Sequence, residues 1–97
     1  MNLQEKNILA TNFAKDIQSF IDDGGTVFAR IFNDSFNIEG IQCESIDYKN
    51  CELEILSCVI DDVSFTISNL IEIEDGGTDT PKIRFENISL ELQMWIN

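Results

Sequence analysis

Histidine is absent from this chain of 97 residues. Its absence excludes Ser-His and Cys-His catalytic arrangements and every His-metal site. Positive charge is scarce: 6 Lys and Arg stand against 18 Asp and Glu, a formal net charge of −12. A surface of that sign repels phosphate backbones and anionic lipid, so neither nucleic acid nor a membrane is an expected partner. Cysteine occurs 3 times, as Cys43, Cys51 and Cys58. The odd count and the spacings fit no zinc or redox motif, so these read as reduced thiols of a cytosolic protein, in the core or at the surface. Cys58, with apolar and acidic neighbours, reads as a buried small hydrophobe rather than a nucleophile. No apolar run approaches bilayer length, and the most apolar one, residues 55–60, is bounded by Glu54 and Asp61. The first residues lack the basic-then-apolar pattern of a signal peptide, so the expected location is the cytoplasm. Gly76-Gly77 lacks the Lys-bearing phosphate-loop pattern and is flanked by acids, and no cofactor is expected.

What is present is ordinary for a globular domain: 43% hydrophobic and 25% charged residues. Residues 1–97 are expected to form one domain. Leu9, Phe13, Ile17 and Phe20/Ile21 recur at helical spacing, with Ala10 and Ala14 beside them, which predicts an amphipathic helix over about 3–22. Asn2 is the expected cap, with Glu5 three residues on, and Gly24-Gly25 the expected stop. After Gly25 the period drops to 2. Val27, Ala29 and Ile31 predict a first strand, ended by the turn pair Asn33-Asp34. A second strand runs from 35 to about 46, with Gly40 marking a bend or bulge. Asp47-Tyr48-Lys49-Asn50 reads as a turn, and a third strand as 51–60. Asp61-Asp62 turns the chain into Val63, Phe65 and Ile67. After a short break at Asn69-Leu70, Ile71 to Glu74 form a further strand. Residues 75–81 are a loop. Ile83 and Phe85, then Leu90, Leu92, Met94 and Ile96, alternate as one or two strands, with a C-terminal helix over 90–96 as the alternative. The fold class is α+β, mainly β: the helix packs on a bent antiparallel sheet or small barrel with an extra C-terminal strand pair.

Particular residues within this pattern resemble the Sm-like (Hfq-type) small barrel over about residues 26–74. Asn33-Asp34 stands at the family's turn between strands one and two. Gly40 stands at its strand-two glycine, followed by Ile41, Ile46-Asp47, Asn50, Leu53 and Ile55. The run from Phe65 to Ile73 resembles its fourth strand, tight turn and fifth strand. The resemblance implies a helix on a bent five-stranded barrel. The family's polar RNA contacts have no counterparts here, so no RNA-binding residue carries over. An SH3-like barrel with an added hairpin gives the same pattern.

The negative charge is concentrated. Residues 34–79 hold twelve acids and a single base, Lys49, for a net of −11, and the rest of the chain carries −1. Alternation puts Glu52 and Glu54 on one face of their strand, and Glu72 and Glu74 on one face of theirs. Asp61 and Asp62 sit at a tight turn. Asp22/Asp23 and Asp61/Asp62 lack the nucleophile or oxyanion donors that paired catalytic carboxylates need, so no enzymatic activity is expected. Glu72, Glu74, Asp75 and Asp79 do not match the EF-hand spacing, so no metal site beyond weak surface binding is expected. Trp95 and Met94 close the core or, if exposed, form a contact patch.

The expected partner is therefore a basic protein, met by Glu52, Glu54, Asp61, Asp62, Glu72 and Glu74. The expected role is a small, acidic, non-enzymatic interaction protein that mimics nucleic acid and blocks a nucleic-acid-handling protein, of the kind a phage or mobile element encodes. The alternative is an assembly subunit that pairs with its own copies through barrel edges, its charge serving only solubility.

Overall fold

A computed structural model describes residues 2–96. It contains one helix, α1 (Leu3–Asp22), and seven strands: β1 (Thr26–Phe32), β2 (Asn37–Lys49), β3 (Glu52–Ser57), β4 (Val63–Thr66), β5 (Leu70–Glu74), β6 (Lys82–Phe85) and β7 (Ser89–Trp95). A 3₁₀ turn, Ile67–Asn69, joins β4 to β5. The strands form one antiparallel sheet in the order β4-β3-β2-β1-β7-β6-β5. The class is α+β, mainly β, and no helix is long and apolar enough to cross a membrane.

Helix α1 has the predicted bounds because both ends are capped. The Asn2 side chain accepts from the Glu5 amide at 2.9 Å. At the other end the Gly25 amide donates to the Phe20 carbonyl and the Gly24 amide to the Ile21 carbonyl, each at 3.0 Å, with Gly24 at φ +98°. That is a Schellman stop, which needs a residue free to take positive φ. The buried face is not the expected one throughout. Ala10, Phe13, Ala14 and Ile17 face the core, whereas Leu9 is 39% exposed. Two alanines let the helix lie close to the sheet, and that rotation turns Leu9 outward. The helix is tied down by polar contacts as well: Gln18 accepts from the Ile46 amide at 2.9 Å, and Lys6 donates to the Ser68 carbonyl at 3.0 Å.

Strand β2 is long because it serves two neighbours in turn. It pairs with β1 from Asn37 to Cys43 and with β3 from Cys43 to Lys49. Two bulges bend it. Ala29 faces Ile41 but Ile31 faces Ile38, so β2 holds an extra residue beside Gly40, which sits at φ +72°. The second bulge lies between Cys43 and Ser45 and turns Glu44 outward. The sheet curls enough to bring its two ends together over the core: Phe65 of β4 stacks on Phe85 of β6, centroids 5.1 Å apart. Val27, Ile41, Leu53, Ile67, Ile83, Leu90 and Leu92 are fully enclosed beneath it.

Several sequence expectations are corrected. Residues 47–49 continue β2 instead of turning, since Tyr48 is half-buried against the core and pairs with Leu53. The turn is Asn50-Cys51, with φ of 53° and 65°, the two left-handed residues that a two-residue hairpin of this twist requires. Strand β3 ends at Ser57, whose hydroxyl accepts from the Ile60 amide at 2.7 Å and turns the chain. The helical alternative for 90–96 is excluded, because β7 is paired on both sides, with β1 and with β6. That pairing also places the extra C-terminal hairpin β6–β7 between β5 and β1 in the sheet.

The Asn50-Cys51 turn carries a testable cost. A non-glycine residue in the left-handed region costs roughly 1–2 kcal/mol, less for Asn. Cys51→Gly is therefore expected to stabilise the domain by about 1 kcal/mol, or ~4–8 °C in Tm for a chain this size, in a thermal melt followed by circular dichroism. An unchanged or lower Tm would show that the turn is not strained.

Candidate functional site

The acids singled out in the sequence fall into two groups at different places in the sheet. Glu52 and Glu54 project from β3, because Leu53, Ile55 and Ser57 take the inward positions. Their ladder neighbours are Lys49 and Asp47 on β2 and Thr66 and Ser64 on β4. Asp61 and Asp62 are exposed in the connection from β3 to β4. Glu72 and Glu74 project from β5. In sheet order β2, β1, β7 and β6 lie between β3 and β5, and no ladder joins the two groups.

The two groups also differ in compensation. On β5, Glu72 forms an ion pair with Arg84 and Glu74 stands opposite Lys82. On β3, the base in the adjoining ladder is already engaged: Lys49 pairs with Asp47 at 3.3 Å. Among the described residues Glu52, Glu54, Asp61 and Asp62 have no ion-pair partner. Glu54 faces Asp47 directly across the ladder, and like charges so placed are destabilising. The β2–β3 end of the sheet thus carries Glu44, Asp47, Glu52, Glu54, Asp61 and Asp62 against Lys49 alone.

The strongest positive site elsewhere is neutralised internally. Arg30 lies 4.0 Å over the Phe32 ring, donates to Asn37 at 2.6 Å, and pairs with Glu39 at 3.4 Å and Glu91 at 3.8 Å. It holds the β1–β2–β7 face together and presents no free cation to a ligand. Beside it on that face Phe28 is exposed at its edge, and Trp95, diagonal to it across the β1–β7 ladder, is 57% exposed. The sequence alone allows Trp95 a place either in the core or at the surface. The register decides it, since Leu90 and Leu92 take the inward positions of β7 and Trp95 falls on the outer parity.

On β5, Glu74 accepts no relief from its nearest neighbour. A shared hydrogen bond with Glu72 and the Glu72 charge hold the Glu74 carboxyl above its ordinary value. A carboxyl whose folded pKa exceeds its unfolded one favours folding when protonated. Its destabilising effect is present at neutral pH and fades as pH falls through the folded value. The Tm is therefore expected to rise as pH is lowered from about 7 to about 5, and Glu74→Gln to raise the neutral-pH Tm and flatten that rise. A Tm that falls steadily over the window would contradict this.

The thiols separate into three environments. Cys43 is buried, and desolvation pushes its pKa up to about 11. Cys58 is exposed, not buried as expected, because β3 has already ended at Ser57 and the chain bends outward. It donates to the Glu44 carboxylate at 2.9 Å, and that bond holds its pKa up. Cys51 is exposed in the hairpin turn. Alkylation followed by mass spectrometry should label Cys51 first, Cys58 more slowly, and Cys43 only on unfolding. Labelling of Cys43 at the rate of Cys51 would show that the β2–β3 pairing is open in solution. Among the described residues no group of three or more His, Cys, Asp or Glu is placed to hold a metal ion.

No protein-family model, curated protein or solved structure matches the chain.

Proposed function

We propose that this protein is a small, acidic, non-enzymatic interaction module that binds a basic protein partner through the β2–β3 end of its sheet. One observation carries the reading. Glu52, Glu54, Asp61 and Asp62 are held on strand and tight connection without a cation partner, while Asp47 and Glu54 oppose each other at a cost to the fold. A domain selected for stability alone gains by placing a base there, as β5 and β6 do with Glu72 and Arg84. Anions at fixed spacing suit a groove built for phosphates, because less must be ordered on binding. The partner class is then a nucleic-acid-handling protein of the host cell, and the role is its inhibition by mimicry, in the cytoplasm, as for a phage- or mobile-element-encoded inhibitor. Glu72, already paired with Arg84, contributes less.

The test compares wild type with a variant in which Glu52 and Glu54 become Gln and Asp61 and Asp62 become Asn. Wild type immobilised in host lysate should retain a basic protein that the neutralised variant releases. Equal retention by both would remove the β3 acids from the site.

A second reading is favoured by the strand order. Strands β4 and β5 each pair on one side only, and an unpaired edge is a template for another chain. On this reading the protein is an assembly subunit, and light scattering after size exclusion would show a defined oligomer that Ser64→Pro on β4 dissociates.

A further inference from the structure

Between α1 and the loop joining β5 to β6 lies an open groove of about 290 Å³. Its helix wall is a single stripe, Leu9, Phe13, Ile17 and Phe20, and its other side is Ile73, Pro81 and Met94. The loop is pinned in place by β7: the Met94 amide donates to the Asp79 carbonyl and the Leu92 amide to the Pro81 carbonyl, each at 2.9 Å. What leaves the groove open is the loop composition. Gly76 and Gly77 line it and bring no side chain to cover the apolar wall. At Gly77 a Cβ would meet nothing within 4 Å. Leu9, turned away from the core by the two alanines of α1, is left half-exposed on this wall.

The polar part of the lining has one sign. Among the described residues, Asp16 on the helix and Asp79 on the loop are its only charged ones, and no Lys or Arg lines it. A volume near the lower end of the ~300–1,000 Å³ range of small-molecule sites suits one or two apolar side chains better than a cofactor. We propose that this groove binds a basic peptide segment of a partner protein, seating an apolar anchor side chain against Leu9, Phe20 and Met94 with flanking Lys or Arg side chains paired to Asp16 and Asp79. Charge complementarity selects the occupant: in a chain of net charge −12, an acidic or neutral apolar segment approaches against, or without help from, the field that draws a basic one in. The mode is an amphipathic segment laid in a groove, with affinity from the buried anchor and on-rate from the charges. This site lies apart from Glu52 and Glu54 and does not depend on the reading given to them.

The probe is a short fluorescent peptide carrying a Leu-Leu pair flanked on both sides by lysines, titrated into the whole chain and followed by anisotropy. Amide shifts in ¹⁵N-labelled protein locate it. The expected shifts fall on residues 9–20 and 73–81. Replacing the Leu-Leu pair by Ser-Ser should weaken binding by roughly tenfold or more, the worth of one buried leucine. Leu9→Ser should weaken it by roughly three- to tenfold, and it perturbs an exposed position that the fold tolerates. Asp16→Asn with Asp79→Asn, both at the surface, should slow association and flatten its salt dependence with the fold unchanged. Shifts confined to β3, equal binding of the Ser-Ser peptide, or indifference to Leu9→Ser would overturn the proposal. Neutralising Glu52, Glu54, Asp61 and Asp62 is expected to leave this peptide's site unchanged, so failure here and failure of the β3 reading are told apart.

Discussion

Replacing Phe13 by Asp is expected to unfold the domain. Phe13 sits on the inner face of α1 between Ala10 and Ile17, buried in the same cluster as Ile46 and Ile67. Deleting a buried phenylalanine costs about 3–5 kcal/mol through lost transfer energy and the cavity left behind. Placing a carboxylate there adds the cost of burying a charge, for which the surrounding cluster offers no base. A domain of this size holds about 5–15 kcal/mol in total, and the sum consumes most of it. Far-ultraviolet circular dichroism should show loss of the sheet signal as well as the helix, because α1 packs against β2 and the 3₁₀ turn together. Phe13→Leu, which keeps an apolar side chain, should fold with a lowered Tm. A Phe13→Asp variant as stable as wild type would mean that α1 is not part of the core.

The second large effect is kinetic and has an opposite sign in stability. Changing Glu52 and Glu54 to Gln with Asp61 and Asp62 to Asn removes four negative charges from one end of the sheet. Electrostatic steering raises association rates by ~10–10³, so loss of the patch should slow capture of a basic partner by roughly tenfold or more. The same variant should melt at a higher temperature than wild type, since the Asp47–Glu54 opposition disappears and no ion pair is lost. The reciprocal control is Glu72→Gln, which breaks the ion pair with Arg84 and should leave association nearly unchanged. Such an exchange of stability for rate is what a surface kept for binding displays.

Much of the fold was legible because local signals agreed with one another. Helix α1 announced both ends, at Asn2 and at Gly24-Gly25, and the caps form as the residue types require. Gly40 announced a bulge, and the register shift opposite Ala29 and Ile31 shows it. The misread places share a cause: tertiary context chose between two local options. Residues Asp47 to Lys49 have turn-like composition, yet half-burial of Tyr48 keeps them in the ladder. Leu9 fits the apolar period as well as Ala10 does, and only the closeness of helix to sheet selects the alanine. Which strands neighbour each other was not legible. Glu52/Glu54 and Glu72/Glu74 look alike in the sequence, each a pair at period 2. They differ because β6 brings Arg84 and Lys82 beside β5, a pairing that no local pattern encodes. The groove beside α1 was hidden for the same reason, since Asp79, Pro81 and Met94 join its lining through the β7 pairing.

The central claim is that the uncompensated acids of β3 and of the connection from β3 to β4 are a binding surface. The most direct test is the association rate with the basic partner measured across ionic strength. Screening shortens the reach of charge from ~30 Å at 0.01 M salt to ~8 Å at physiological strength, so a steered encounter slows steeply over that range. Wild type should show that steep fall, and the variant neutralised at Glu52, Glu54, Asp61 and Asp62 a slow, nearly flat profile that meets the wild-type curve at high salt. Superimposable curves for the two proteins at every salt concentration would contradict the claim.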